Sequence, residues 1–311
     1  MRILVVGAGA VGGWFGGRLA ATGFDVWFLA RGAQAEALRR RGLRLHGPEG
    51  ETHIPEPQLV GEAIPEGGFD ILLVAVKMYD LEAVVPRLAA LAAPRAAVIP
   101  LQNGVEAPAL LARRLDPAVV CGGLAKIGAV LERPGVVTRV GSMAELLFGE
   151  RDGRPSPRLE AFAAACREAG FTAACVTDIE VRMWEKFVFL APFAAVTARR
   201  RAPIGAVRAD PAAWRDLLAM TEEATAVGQA QGVELAPDLP ARTAAFLRGL
   251  PAAMRSSLLH DLEAGRRLEL DWLTGAVLRL GARSGVPTPV TADYHRALAP
   301  FAAGGAPGAG A

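Results

Sequence analysis

Residues 2–17 read RILVVGAGAVGGWFGG, and this stretch decides the fold. An apolar, strand-like run ends at Gly7, and Gly7, Gly9 and Gly12 then form GxGxxG at the opening of a helical pattern. Strand, glycine turn and helix in that order make a dinucleotide-binding turn: the glycines allow a tight bend, a close backbone approach to a pyrophosphate and tight helix–strand packing. The helix N-terminus supplies free N–H donors and the positive end of a dipole. Gly7, Ala8, Gly9, Ala10, Val11 and Gly12 are therefore candidate cofactor-binding residues.

The pattern continues outward from that turn. Short apolar runs (DVWFLAR, DILLVAV, AAVIPLQ) alternate with helical stretches, as expected of a parallel sheet built from βαβ units. Two hairpins interrupt it, one over 43–56 turning at GPEG and one after 121 turning at Pro134-Gly135. Helix 157–169 and the run FTAACV are expected to finish the sheet. From Asp178, which suits a helix N-cap, strand-like runs vanish and helices follow. The first is expected to kink at Pro192, others fall at about 211–232, 240–249 and 251–284, and a last one follows GVPTP. The expected fold class is α/β: an N-terminal Rossmann-type domain over 1–178, an all-helical domain over 179–300, and a disordered tail over 301–311.

Composition narrows the function classes. A chain of 311 residues, 52% hydrophobic and 21% charged, has room for two domains with ordinary cores. The longest nearly uncharged run, FVFLAPFAAV at 187–196, is about half of what a bilayer span needs and reads as a buried helix. The N-terminus lacks a signal-peptide h-region, so a cytoplasmic protein with no membrane partner is expected. Three cysteines without CxxC spacing and four unpatterned histidines imply neither a disulfide framework nor a metal site. Dispersed arginine clusters and 6% aromatics argue against nucleic acid as a partner. The apolar helical domain suits either a homodimer or a monomer with a larger core.

Several polar residues stand out. Arg31 lies nineteen residues after Gly12, where an NAD enzyme presents Asp or Glu to the ribose; an arginine there favours NADP, unless it is a solvated loop residue. Only three lysines occur among 34 basic residues, and the chain has one asparagine. Lys77 and Asn103 end strand-like runs and so reach the carboxyl edge of the sheet, where open α/β sheets bind ligands. Asn103-Gly104 is equally a turn former. Lys186 sits among Trp184, Phe187, Val188, Phe189 and Leu190, where burial would lower its pKa and poise it as a proton donor, or where its stem simply covers apolar surface. Ser257, Asp261, Gly265 and Glu269 recur every four residues, a stripe suited to a substrate cleft or to a wet helix face.

Together, GxGxxG, the strand-ending VK and QNG, WEK, SSLLHDLEAGRRLELDWLTG and GVPTP resemble the ketopantoate reductases (2-dehydropantoate 2-reductases), in order over roughly 1 to 300. The resemblance implies NADPH-dependent reduction of the 2-oxo acid ketopantoate to pantoate, on the route through pantothenate to coenzyme A. It also implies roles: Lys186 as general acid, Asn103 beside the nicotinamide and the substrate, Lys77 and Arg31 on the cofactor, and Ser257 with Glu269 on the substrate. The chain departs from the family pattern at Leu190, Ala194, Met254 and Thr274, where asparagines are usual. These departures keep open a paralogous reductase of a more apolar 2-oxo acid. A non-catalytic NADP-binding module is the reading from a different class.

Overall fold

A computed structural model describes residues 1–61 and 66–305. The chain forms two compact units, Met1–Gln102 with Ala107–Ile179, and Asn103–Glu106 with Glu180 onward.

The first unit runs β1 (Arg2–Val6), α1 (Ala10–Ala21), β2 (Asp25–Leu29), α2 (Gly32–Arg41), β3 (Leu43–Gly47), β4 (Gly50–Ile54), β5 (Gln58–Leu59), β6 (Phe69–Val74), α3 (Met78–Leu91) and β7 (Ala92–Pro100). It resumes with α4 (Ala107–Ala112), β8 (Cys121–Arg133), β9 (Val136–Glu150), α5 (Pro157–Glu168) and β10 (Thr172–Cys175). Among the described residues β5-β2-β1-β6-β7 form one parallel sheet. Its central strands are apolar on both faces, with Ile3, Leu4, Val5, Val6 and Leu72, Leu73, Val74 fully buried. That is why they read as continuous runs rather than alternations.

Both expected hairpins form, β3–β4 and β8–β9. One expectation is corrected. FTAACV does not finish the first sheet: β10 pairs in parallel with β9, in a second sheet ordered β10-β9-β3-β4, with β8 also on β9. Helix α1 lies against both sheets. A Cβ at Gly16 would stand 2.5 Å from Val5, and one at Gly17 would stand 2.9 Å from Leu43 and Leu45. The glycines let the helix approach two layers at once, and Trp14, Phe15 and Phe171 fill the space beside it, with ring centroids 5.0 Å apart for Phe15–Phe171. Phe171, immediately before β10, packs against Trp14 and Phe15 of that helix.

The helical unit contains α6 (Ile179–Arg200), α7 (Ile204–Ala209), α8 (Pro211–Ala230), α9 (Leu239–Gly249), α10 (Ser257–Glu263), α11 (Thr274–Ser284) and α12 (Pro289–Leu298). Local signals start these helices. Asp210 caps α8 by accepting from the Ala212 and Ala213 amides, with Pro211 at the first helical position. The Glu223 carboxylate accepts from the Val290 and Thr291 amides at the start of α12. From Phe187 to Ala198 nearly every residue of α6 is buried, as expected for the apolar run. Among the described residues no helix is long and apolar enough to cross a membrane.

The expected continuous helix over 251–284 is also corrected. Ser256 starts α10, and Gly265 ends it at φ 62, with the Arg266 amide bonded back to the Asp261 carbonyl at 2.8 Å. A 3-10 turn at Leu270–Trp272 and then α11 follow, so Ser257 and Glu269 do not share one helical stripe. Of the expected tail, residues 306–311 lie outside the described residues. Residues 301–305 are held instead: Leu268 donates to the Ala302 carbonyl at 2.9 Å and Gly305 to the Gly265 carbonyl at 3.0 Å.

Candidate active site

In the first unit, each glycine of the nucleotide turn has its own reason. Gly7 adopts φ +99 and lies so close to the end of β6 that a Cβ would stand 2.8 Å from the Val76 nitrogen. At Gly12 a Cβ would stand 2.2 Å from the Gly7 carbonyl oxygen, so this glycine is demanded by the fold itself. Around Gly9, its chain neighbours aside, no atom of the described residues lies within 4 Å of such a Cβ. The glycine the fold does not require stands at the N-cap of α1, whose first turn carries no acidic residue and no side-chain cap. Backbone N–H groups at such an end lack intrahelical partners. The turn therefore fits a pyrophosphate, with Ala10, Val11 and Gly12 in the first turn as donors.

Three neighbours of this turn were missed in the sequence. Gln34 donates to the Ala8 carbonyl at 2.6 Å and accepts from the Gly135 amide at 2.9 Å, fixing the loop from outside. Gln102 is only 7% exposed and donates to both the Val74 and Val76 carbonyls at 3.0 Å, stitching the ends of β6 and β7 together. Its Oε1 is a buried acceptor that no donor among the described residues reaches. Asp80 is the third: in the first turn of α3, it takes the Arg31 guanidinium at 2.5 Å. Arg31 stands at the N-cap of α2 with its side chain 79% exposed, open to a phosphate but already paired to a carboxylate. No local pattern links positions 31 and 80; only the adjacency of β2, β1 and β6 does. Lys77, half-buried, ends the connection from β6 and begins α3.

The helical unit holds the second cluster. Lys186 Nζ donates to Asn103 Oδ1 at 3.0 Å. Asn103 reaches this lysine because the chain leaves the first unit after Gln102 and places Asn103–Glu106 with the helices before returning at Ala107. The backbone does turn after Asn103: Gly104 adopts φ +114, and a Cβ there would stand 2.9 Å from the Trp272 carbonyl oxygen. Lys186 is half-buried beside Trp184 and Phe187, which are buried at 4% and 1% exposure. Of the other two lysines, Lys126 is paired to Glu145 at 2.8 Å within the β8–β9 ladder.

Glu269 is buried at 6% exposure, immediately before the turn 270–272. Ser257 is exposed at the start of α10, whereas the adjacent Ser256 is buried, capping the helix and bonding Thr197 at 2.7 Å. Asp261 is tied to Arg266 at 2.7 Å. Of the departing positions, Leu190 packs half-buried against the helical core, Ala194 is buried at 1% exposure and Met254 is 40% exposed. Thr274 is fully buried and bonds His295 Nδ1 at 2.8 Å.

Other chemistries find little here. Among the described residues no group of three or more His, Cys, Asp or Glu is placed to hold a metal. Burial, aided by the neighbouring Glu150 carboxylate, pushes the Cys121 thiol up to about 12, so it is not a nucleophile at neutral pH.

Comparison with known proteins places nearly the whole length of the chain in one family. The family pattern for ketopantoate reductase PanE/ApbA matches residues 3–153, and the pattern for its C-terminal domain matches 178–300. The chain is 36% identical over 289 residues to a 2-dehydropantoate 2-reductase of Archaeoglobus fulgidus, covering 93% of this chain and 94% of that one. It is 30% identical over 298 residues to the uncharacterized oxidoreductase YkpB of Bacillus subtilis, covering 96% and 98%. A crystal structure of a PanE/ApbA family ketopantoate reductase from Ralstonia eutropha JMP134 superposes with a TM-score of 0.88 at 27% identity, covering 97% of this chain and 98% of that one. The chain belongs to the ketopantoate reductase family of oxidoreductases.

Proposed function

We propose that this chain is an NADPH-dependent reductase that converts ketopantoate to pantoate, a cytoplasmic step of pantothenate biosynthesis. The observation that carries the reading is the Lys186–Asn103 pair at 3.0 Å. A carbonyl reduced at C2 becomes an alkoxide and needs a proton donor held in place, and an ammonium fixed by an amide oxygen provides one. Bound at the glycine turn, NADPH would supply the hydride. Lys186 gives its proton to the carbonyl oxygen and is reprotonated from solvent, so that ketopantoate, NADPH and one proton yield pantoate and NADP. Asn103 orients the ammonium, Glu269 accepts a hydroxyl of the substrate, and Ser257 donates to its carboxylate.

A second reading, a more apolar 2-oxo acid, is favoured by Leu190 and Ala194, which offer no donors where family members carry asparagines. Each donor missing from a site built for a hydroxy acid costs on the order of 1 kcal/mol. An NADPH-oxidation panel of 2-oxo acids separates the two. Ketopantoate is expected to give the highest kcat/KM; a branched or aromatic 2-oxo acid in that place would transfer the assignment to the second reading.

Cofactor choice has its own test. Removing a charge-assisted contact to a 2′-phosphate costs about 1.5 kcal/mol or more, roughly tenfold in affinity. Arg31→Ala is expected to raise the KM for NADPH about tenfold while leaving that for NADH nearly unchanged. Asp80→Asn should act in the opposite direction, because the carboxylate at 2.5 Å competes with a phosphate for the same guanidinium. Equal changes for both cofactors would remove Arg31 from the phosphate site.

A further inference from the structure

The segment Asn103–Glu106 is four residues long and is anchored in the first unit at both ends by the chain, yet it belongs to the helical unit. Few contacts can hold so short a segment there. Val105 packs against the helical core, and Gly104 lies under the Trp272 carbonyl. At its end Glu106 meets Arg279 of α11, Oε2 to Nη2, at 2.6 Å. The same Nη2 donates to the Asp271 carbonyl at 2.8 Å. Asp271 belongs to the 3-10 turn Leu270–Trp272, whose N-cap is Glu269.

We propose that Arg279 is a positioning residue: one guanidinium nitrogen ties the loop carrying Asn103 to the turn carrying Glu269, and so sets the proton-donating pair relative to the substrate-binding carboxylate. This rests on the roles given above to Asn103, Lys186 and Glu269. The surroundings are built to admit the guanidinium. Gly275, one helical turn earlier on α11, leaves it room, since a Cβ there would stand 3.2 Å from Arg279 Nη1 and 3.3 Å from the His295 ring. Burial lowers the His295 pKa despite the Asp271 carboxylate, so near neutral pH the ring is uncharged and Arg279 is the cation facing Glu106. A planar guanidinium holds its two acceptors at a fixed angle, which a flexible lysine ammonium does not.

A half-exposed ion pair contributes little to global stability, so the effect belongs in turnover rather than in melting temperature. Arg279→Met and Glu106→Gln are each expected to lower kcat roughly 10- to 100-fold, the scale of a misplacement near 1 Å, with the KM for NADPH unchanged and Tm within a few degrees of wild type. Arg279→Lys should recover part of the loss. If Arg279 acts through Asn103, the two changes do not add: Asn103→Ala with Arg279→Met should turn over no more slowly than Asn103→Ala alone. Hydrogen–deuterium exchange reads the tether independently of activity, and the amides of 104–106 should exchange faster in Arg279→Met while those of α6 do not. Multiplying kinetic losses, or unchanged exchange over 104–106, would overturn the proposal. Should wild-type protein reduce no 2-oxo acid, the functional reading falls, and the exchange experiment still decides whether the tether exists.

Discussion

Lys186→Ala is expected to reduce turnover by roughly 10²- to 10⁴-fold, the range for loss of a positioned general acid, with NADPH binding unaltered. The ammonium is the group that meets the lone asparagine of the chain, whereas Lys126 is paired to Glu145 on the β8–β9 ladder. Lys186→Arg should be nearly as damaging. A guanidinium keeps the positive charge and can still donate a hydrogen bond to Asn103, but it does not readily give up a proton. The pair of variants therefore separates proton transfer from electrostatic stabilisation. Near-normal turnover by the arginine variant would leave Lys186 an electrostatic role only. A binding module without catalysis predicts that neither change alters what the protein does, and single-turnover measurements with bound NADPH would decide that directly.

Legibility in the sequence followed the range of the interaction. The glycine turn could be read because its requirements are local: Gly7 must turn and Gly12 must let the helix start against the strand, within a dozen residues. The hairpins at GPEG and Pro134-Gly135 were legible for the same reason. FTAACV was recognisable as a strand but not assignable to a sheet, since its partner, β9, lies more than twenty residues away and pairs with it in a second sheet. The polar stripe failed at Gly265: spacing by four is a helical signal only while the helix continues, and a glycine at φ 62 followed by a back-bonded amide ends it. Asn103 and Lys186 were each singled out by rarity in this arginine-rich, asparagine-poor chain, but their contact spans 83 positions and depends on a four-residue excursion no local pattern announces. Asp80, which limits what Arg31 offers a phosphate, was invisible for the same reason, as were Glu106 and Arg279.

Gly12 and Gly9 of the nucleotide turn should both lose cofactor binding on the same substitution, but only Gly12 should lose stability with it. Gly12→Ala puts a methyl 2.2 Å from a backbone oxygen and 2.9 Å from Val5 and Ala75, none of which is the free end of a flexible side chain. The strand–helix junction has to spread, at about 1–3 kcal/mol or more, so Tm should fall by several degrees and NADPH binding should be lost with it. Gly9→Ala, its chain neighbours aside, meets no atom of the described residues within 4 Å and keeps φ −76, which any residue adopts, so Tm should stay close to wild type. The added methyl would nevertheless stand where a pyrophosphate must approach the N-terminus of α1, and the Kd for NADPH should rise at least tenfold. Thermal unfolding and cofactor-fluorescence titration on both variants test this. If Gly9→Ala binds NADPH as wild type does, the open space at Gly9 is not where the phosphates lie, and the cofactor has to be placed elsewhere along the edge that Lys77 and Gln102 occupy. A loss of binding without a loss of stability would instead separate the ligand's demand for glycine from the fold's demand, which GxGxxG as a sequence pattern merges.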